Sequence, residues 1–155
     1  MKILTELKCP FIINQNRYSI FDRTIEQNGL KSTAVRLEKG IIAFSPLAQG
    51  MLTDRYLNGI PADSRIGHDP RYLKAEMLTP GLHAAIDAPA KIADARGETL
   101  SQLALQWALR DKAVTSALIG ASRAEQITEN VAALSLPPLT GEELAQIDAA
   151  LALNE

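Results

Sequence analysis

The amino-acid sequence predicts an α/β protein in which parallel strands alternate with helices. Short apolar runs at residues 11–13, 41–44 and 114–119 are bounded by proline or glycine. None of these runs alternates polar with apolar residues, which is typical of parallel strands that are buried on both faces. Longer segments with helical periodicity follow them, so we expect a helix-rich succession of β/α units.

The composition is that of one globular domain spanning residues 1–155. The chain is 46% hydrophobic and 22% charged, with a formal net charge of −2. These values exclude disordered and collagen-like chains, and they argue against nucleic acid or an anionic membrane as the main partner. Cys9 is the only cysteine, which excludes an intrachain disulfide and favours a cytoplasmic location. No apolar run approaches the roughly 20 residues of a membrane span.

Three helix starts carry the pattern of a capping box, in which the N-cap and N3 side chains satisfy backbone N–H groups. They lie at residues 99–102, 122–125 and 140–143. After the first box, apolar residues recur at helical spacing, which predicts a core face. That face comprises Leu100, Leu103, Ala104, Trp107 and Ala108.

Two further helices are interrupted by residues that disfavour helical backbone. A helix at about residues 82–95 contains Pro89, which is expected to kink or split it. Another, at about residues 24–38, is weakened by Gly29.

Two loops follow predicted strands and could bind a ligand. Gly120 ends one strand and is followed by a predicted helix start at Ser122, whose free N–H groups would attract an anion. Arg123 in that first turn would fit a phosphate, or it could be a solvated side chain beside a capped helix. The loop at residues 45–50 would lie on the same rim, since ligands of parallel α/β folds bind beyond the carboxyl ends of strands.

The long loop between residues 45 and 79 holds arginines that could clamp a phosphate or simply face solvent. His68, His83 and Cys9 do not have the spacing of a zinc site, so no metal site is predicted.

Three sequence segments carry a specific resemblance. They are Ile-Ala-Phe-Ser-Pro-Leu-Ala-Gln-Gly at 42–50, Tyr-Leu-Asn-Gly-Ile-Pro at 56–61 with Ser-Arg at 64–65, and Leu-Ile-Gly-Ala-Ser-Arg-Ala-Glu-Gln at 118–126. In this order they resemble the C-terminal half of aldo-keto reductases, in the branch of bacterial glyceraldehyde-3-phosphate reductases and potassium-channel β subunits. The resemblance covers essentially the whole chain.

The resemblance implies a partial (β/α)8 TIM barrel, made of its last three β/α units, and NADP as cofactor. Residues 11–14, 41–44 and 116–119 would be the sixth, seventh and eighth strands. The implied cofactor-binding residues contact the nicotinamide, the pyrophosphate, the 2′-phosphate and the adenosine. They are Gln15, Phe44, Ser45, Pro46, Leu47, Ala48, Arg55, Arg65, Gly120, Ser122, Arg123, Gln126, Glu129 and Asn130.

The family's catalytic Asp, Tyr, Lys and His belong to the first half of the barrel, and no segment here matches them. We therefore predict no catalytic residues, and weak or vestigial NADP binding. Tyr18 and Lys39 do not occupy those positions. The chain is expected to be the cofactor half of an NADP-dependent oxidoreductase that is not catalytic alone. The alternatives are a non-catalytic nucleotide-binding or assembly module, or a truncated gene product without activity.

A partial barrel leaves sheet edges and one inner face uncovered, and exposed edges invite pairing with another chain. We expect a homo-oligomer or a complex with a separate N-terminal half, and the uncovered apolar runs favour self-association. A rearrangement of the strands into helix is a third possibility.

Overall fold

The computed structural model describes residues 2–54 and 80–152. In this part of the chain the strands are β1 (Ile13–Arg17), β2 (Gly40–Phe44) and β3 (Ser116–Leu118). The helices are α1 (Lys2–Glu6), α2 (Thr24–Gln27), α3 (Leu30–Arg36), α4 (Pro80–Arg96), α5 (Leu100–Leu109), α6 (Ala124–Ala132) and α7 (Gly141–Ala152). Short 3₁₀ helices occupy Ala48–Gly50 and Ala133–Ser135.

The three described strands form one parallel sheet in the order β1-β2-β3. Arg17 pairs with Phe44, and Phe44 pairs with Leu118, so these three residues lie side by side across the sheet. The α/β class and the parallel pairing are confirmed. The first strand lies further along the chain than residues 11–14, because pairing begins only at Ile13.

The helices in residues 2–54 and 80–152 cover one face of the sheet and leave the other open. Ile41 and Ala43 of β2 are completely buried on the covered face as part of the hydrophobic core, and α3 packs directly against β2. On the opposite face Ile13 is 40% exposed and Leu118 is 54% exposed. The expectation of strands buried on both faces is therefore wrong for this chain, because the described helices pack on one side only.

The core is built around α5, whose predicted apolar face is confirmed. Leu103, Ala104 and Trp107 are completely buried. Its capping box also forms as predicted, since Thr99 Oγ1 accepts from the Gln102 N–H at 3.3 Å and Gln102 Oε1 accepts from the Thr99 N–H at 3.0 Å. Thr140 and Glu143 form the same exchange at the start of α7.

The two interrupted helices behave differently. Gly29 adopts a left-handed φ of 73° and separates α2 from α3, so the break there is real. Pro89 lies inside α4 without ending it. The predicted split at Pro89 does not occur, because the ring is fully buried in the core and that packing offsets the lost backbone hydrogen bond.

Gly40 marks a close approach at the start of the middle strand. A Cβ atom there would lie 2.8 Å from Thr115 Oγ1 and 3.2 Å from Ile13 Cγ1. A side chain at this position would force the side chains of Thr115 and Ile13 to shift, so glycine fits best here.

Candidate functional site

A cleft of about 1250 Å³ opens at the carboxyl ends of the strands. It lies between the loop after β2, the loop after β3 and the first turns of α5 and α6. Its walls contain most of the residues that the sequence singles out: Gln15, Phe44, Ser45, Pro46, Leu47, Gly120, Ser122, Arg123, Gln126, Glu129 and Asn130. Two loops predicted to share one rim therefore do so.

Three predicted site residues stand apart from this set. Ala48 is buried within its 3₁₀ turn and does not line the cleft. Its N–H donates to the Ser45 carbonyl at 2.9 Å, so its role is to shape the loop. Arg55 and Arg65 lie outside the described residues.

The loop after β2 holds non-glycine residues in left-handed backbone. The φ angles are 52° at Ser45, 47° at Ala48 and 60° at Gln49. Such conformations cost energy for residues with a Cβ atom and concentrate at functional sites. The strain turns the loop sharply at the end of the strand, beside the cleft.

Gln49 contributes an unusual polar atom to this loop. Its Oε1 is buried and has no hydrogen-bond partner among the described residues, and the residue lines the cleft. A buried polar atom without a partner is costly, so its presence points to a ligand or water that supplies a donor.

The start of α6 closes the opposite wall. The predicted cap, with Ser122 as N-cap and Glu125 reaching back, is wrong by one residue. Arg123 is the N-cap, and Gln126 Oε1 accepts from the backbone N–H groups of Ser122 and Arg123 at 2.9 and 3.3 Å. The helix starts at Ala124, so Gln126 and not Glu125 occupies position N3. The side chain at N3 is the one that can reach back to these N–H groups.

Arg123 is exposed beside the positive end of the α6 dipole. Among the described residues its guanidinium has no carboxylate partner, in contrast to Arg96, which pairs with Glu98 and Glu143. A cation and a helix N-terminus together favour an anionic group in the cleft.

Sequence reasoning missed several cleft residues. Gln49 lies within the loop at residues 45–50 that is expected on the rim, but it is not among the predicted cofactor-binding residues. Ser101 and Asp54 could not have been found, because they reach the cleft through long-range packing. Asp54 Oδ1 accepts from the Leu100 N–H at 3.1 Å, which ties the loop after β2 to the start of α5.

A second polar cluster lies away from the cleft, on the helix-covered side of the sheet. Tyr18 is completely buried there, with its Oη 2.9 Å from Lys31 Nζ and 2.8 Å from Arg110 Nη1. Tyr18 Oη donates to Glu26 Oε1. Burial and the hydrogen bond to Glu26 raise the pKa of Tyr18, so this hydroxyl is poorly suited to donate a proton to a substrate.

Glu26 and Lys31 are held in their charged forms within this cluster. Burial by itself raises the pKa of Glu26, but the hydrogen bonds from Lys31 and Tyr18 and the charge of Arg110 outweigh it and lower the pKa to about 2. Burial lowers the pKa of Lys31, and the hydrogen bonds to Asp111 and Glu26 more than reverse this. The cluster joins α2, α3 and the end of α5 and has a structural role.

The aldo/keto reductase family model matches residues 1–152 of this chain. The chain belongs to the aldo/keto reductase family. This aldo/keto reductase chain is 45% identical to L-glyceraldehyde 3-phosphate reductase of Escherichia coli K12 over its whole length, and covers 46% of that protein. It is 36% identical to a candidate voltage-gated potassium channel subunit beta of Schizosaccharomyces pombe, with 88% of this chain matched to 41% of that protein.

Solved aldo/keto reductases share the fold. A glycerol dehydrogenase from Gluconobacter oxydans superposes with a TM-score of 0.77 at 29% identity, and covers 99% of this chain and 46% of its own. An aldo/keto reductase from Klebsiella pneumoniae, solved with NADP and acetate, gives a TM-score of 0.61 at 28% identity over 89% of this chain and 38% of its own. The chain thus spans about half the length of the relatives it matches.

The described part of the chain contains neither a membrane-spanning helix nor a cluster of metal-ligating side chains. Between residues 2–54 and 80–152 no helix is long and apolar enough to cross a bilayer. In the same ranges no group of three or more His, Cys, Asp or Glu side chains is placed to hold a metal ion.

Proposed function

We propose that this chain is the cofactor-binding portion of an NADP-dependent aldo/keto reductase and that it does not reduce carbonyl compounds by itself. The observation that carries the proposal is the single cleft lined by Phe44, Ser45, Ser122 and Arg123. Residues from two separate parts of the sequence meet there, each at a position to which the family resemblance assigns a contact with NADP.

The phosphate end of the cleft fits a charged nucleotide. Arg123 and the N-terminus of α6 offer a cation and a dipole to a 2′-phosphate. The left-handed turn at Ser45 and the unsatisfied Gln49 Oε1 lie on the facing wall, which suits a pyrophosphate and its ribose hydroxyls. The Klebsiella pneumoniae relatives were solved with NADP and with NADPH, which supports the same cofactor here.

The other end of the cleft suits the nicotinamide. Phe44 lies at the end of β2, and Gln15 lies on β1 with its side chain on the same open face. The family resemblance assigns ring stacking to Phe44 and an amide contact to Gln15. When bound, the cofactor would supply a hydride for carbonyl reduction in an assembled reductase, and Phe44 and Gln15 would hold its nicotinamide ring in place.

The proton donor of the family has no counterpart at this cleft in the described residues. Tyr18 is buried behind the sheet in the cluster with Lys31 and Arg110. We therefore propose that the chain alone does not turn over carbonyl substrates. We also propose weak NADP affinity, because only part of the family's set of cofactor contacts is matched. A reducing, cytoplasmic location fits the single exposed Cys9.

The three strands are proposed to be the sixth to eighth strands of a TIM barrel. Their open face and the free edges of β1 and β3 would then require a partner. For the isolated chain we propose a second copy, because Ile13 and Leu118 are exposed on that face. A separate N-terminal half is the alternative that a binding experiment would reveal.

Calorimetric titration with NADPH and NADH tests the cofactor assignment. Arg123→Ala should weaken NADPH binding about five-fold or more, as expected for loss of a charge-assisted hydrogen bond, and should leave NADH binding nearly unchanged. Arg36→Ala, on the exposed side of α3, is the matched control.

Two results would contradict the proposal. Equal loss of NADH and NADPH binding in Arg123→Ala would remove the 2′-phosphate assignment. Failure of the wild-type chain to bind either nucleotide, alone or with its partner, would favour an assembly module or an inactive gene product. Oxidation of NADPH by methylglyoxal in the presence of this chain alone would disprove the absence of catalysis.

A further inference from the structure

Arg17 places a cation next to the aromatic ring at the nicotinamide end of the cleft. It is the last residue of β1, and its register partner in β2 is Phe44. The Arg17 Cζ lies 5.9 Å from the centroid of the Phe44 ring. The alternation of side chains along β1 puts Arg17 on the same open face as Gln15, two residues earlier.

The charge of Arg17 is only weakly balanced. Its Nε lies 4.0 Å from Asp22 Oδ2, at the outer limit of an ion pair, and the Arg17 side chain is 54% exposed. Asp22 is also engaged elsewhere, since its Oδ1 accepts from the Thr24 N–H at 3.3 Å. Within the described part of the chain no other carboxylate pairs with Arg17, so the cation projects a net positive field over the end of the cleft.

The two forms of a nicotinamide cofactor differ in charge at this end. The oxidised ring is cationic and the reduced ring is neutral, while the phosphates are identical. A ring stacked on Phe44 would lie close to the Arg17 guanidinium, which would repel the oxidised form and leave the reduced form almost unaffected.

We infer that Arg17 makes the cleft select the reduced form of the dinucleotide over the oxidised form. The inference rests on the proposed function, because it assumes that a nicotinamide ring stacks on Phe44. Selection for the reduced form would also favour release of the oxidised product after hydride transfer in an assembled reductase.

The size of the effect follows from charge and distance. A nicotinamide ring stacked on Phe44 would put its charge roughly 6–9 Å from the guanidinium, and in a largely solvated site this is equivalent to roughly a three- to ten-fold change in binding. The diagnostic quantity is the ratio of the dissociation constants of NADP⁺ and NADPH. A general loss of packing at Phe44 would weaken both forms alike and leave this ratio unchanged.

Calorimetric titration with NADP⁺ and NADPH tests the inference without any turnover. Arg17→Gln should reduce the preference for NADPH about three- to ten-fold, and Arg17→Lys should keep it within two-fold of the wild-type value. Arg36→Gln is the matched control and should leave the preference unchanged. High salt should reduce the preference in the wild-type chain but not in Arg17→Gln.

The results separate this inference from the proposed function. If both nucleotides bind and Arg17→Gln leaves their ratio unchanged, the role of Arg17 is wrong and the cofactor assignment stands. If Arg17→Lys loses the preference as completely as Arg17→Gln, charge is not the cause and the inference is also overturned. If the wild-type chain binds neither form, both fail together. Arg17 is exposed, so its variants should fold, and circular dichroism checks this.

Discussion

The guanidinium of Arg110 stacks on the indole ring of Trp107, with its Cζ 3.8 Å from the ring centroid. The ring is completely buried, and Arg23 approaches it at 4.6 Å. The same Arg110 donates to Tyr18 and to Glu26. The end of α5 is thus held against the segment that follows β1. That strand carries Gln15 and Arg17.

Removing the carboxylate of this cluster should destabilise the fold. Glu26→Gln leaves Lys31 and Arg110 without their shared anion and should cost about 1–3 kcal/mol of unfolding free energy. Urea unfolding near neutral pH measures this loss. Glu38→Gln, at an exposed glutamate in the turn after α3, is the control and should change stability by less than about 0.5 kcal/mol.

The cost of Glu26→Gln should depend on pH. The folded-state pKa of Glu26 is about 2, below the ordinary value of 4.5. The stability that it contributes is therefore complete above about pH 4.5 and is lost as the pH falls toward about 2. Urea midpoints of wild type and Glu26→Gln should converge over this range. A constant difference between them would contradict the assignment.

Arg96 should be among the most sensitive positions in the helical layer. Its guanidinium lies 2.9 Å from Glu98 Oε1 and 3.0 Å from Glu143 Oε1, and the Glu98 side chain is only 3% exposed. Arg96→Ala leaves Glu98 buried without its cationic partner, with the hydrogen bond from Gln106 Nε2 remaining, and should cost about 3–5 kcal/mol. Thermal unfolding measures it, with Arg36→Ala as the exposed control. A loss no larger than that of the control would show that Glu98 finds another partner.

Gln126→Glu should separate helix stability from nucleotide binding. A carboxylate at this position can still accept from the N–H groups of Ser122 and Arg123, and its charge favours a helix N-terminus by about 0.3–1 kcal/mol. The same charge should repel a 2′-phosphate. The melting temperature should hold or rise while NADPH affinity falls and NADH affinity changes less. Gln126→Leu should lose both stability and NADPH affinity.

The open face of the sheet should drive self-association of the isolated chain. Ile13→Lys puts a charge on the exposed face of β1 and should shift the mass toward the monomer. Light scattering at micromolar concentration measures this. Val35→Lys is the matched control, because Val35 is 57% exposed on α3, away from that face. A monomeric wild-type chain would rule out self-association.

Much of the fold could be predicted from local patterns. The capping pairs Thr99–Gln102 and Thr140–Glu143 depend on residues three apart, so the sequence contains all that determines them. The break at Gly29 is equally local. The continuation of α4 through Pro89 could not be predicted, because the burial of its ring comes from distant residues.

The residues of the candidate site also fall into two groups, those set by local sequence patterns and those set by long-range packing. The residues at 44–47 and 120–130 could be placed through motifs that follow strand ends. The predicted cap of α6 lies one residue before the observed one. Either Ser122 or Arg123 could be the N-cap by sequence, and the folded geometry determines that it is Arg123. No short segment encodes strand register or helix packing. Strand register determines the pairing of Arg17 with Phe44, and helix packing brings Ser101 and Asp54 to the cleft.

The left-handed residues after β2 have a consequence for laboratory evolution. Ser45, Ala48 and Gln49 keep a backbone that glycine would adopt without strain. A library selected for heat resistance alone should accumulate glycine at these three sites. A library selected for retention of nucleotide should instead keep the hydroxyl and the amide, and the difference between the two would identify which of these side chains the ligand requires.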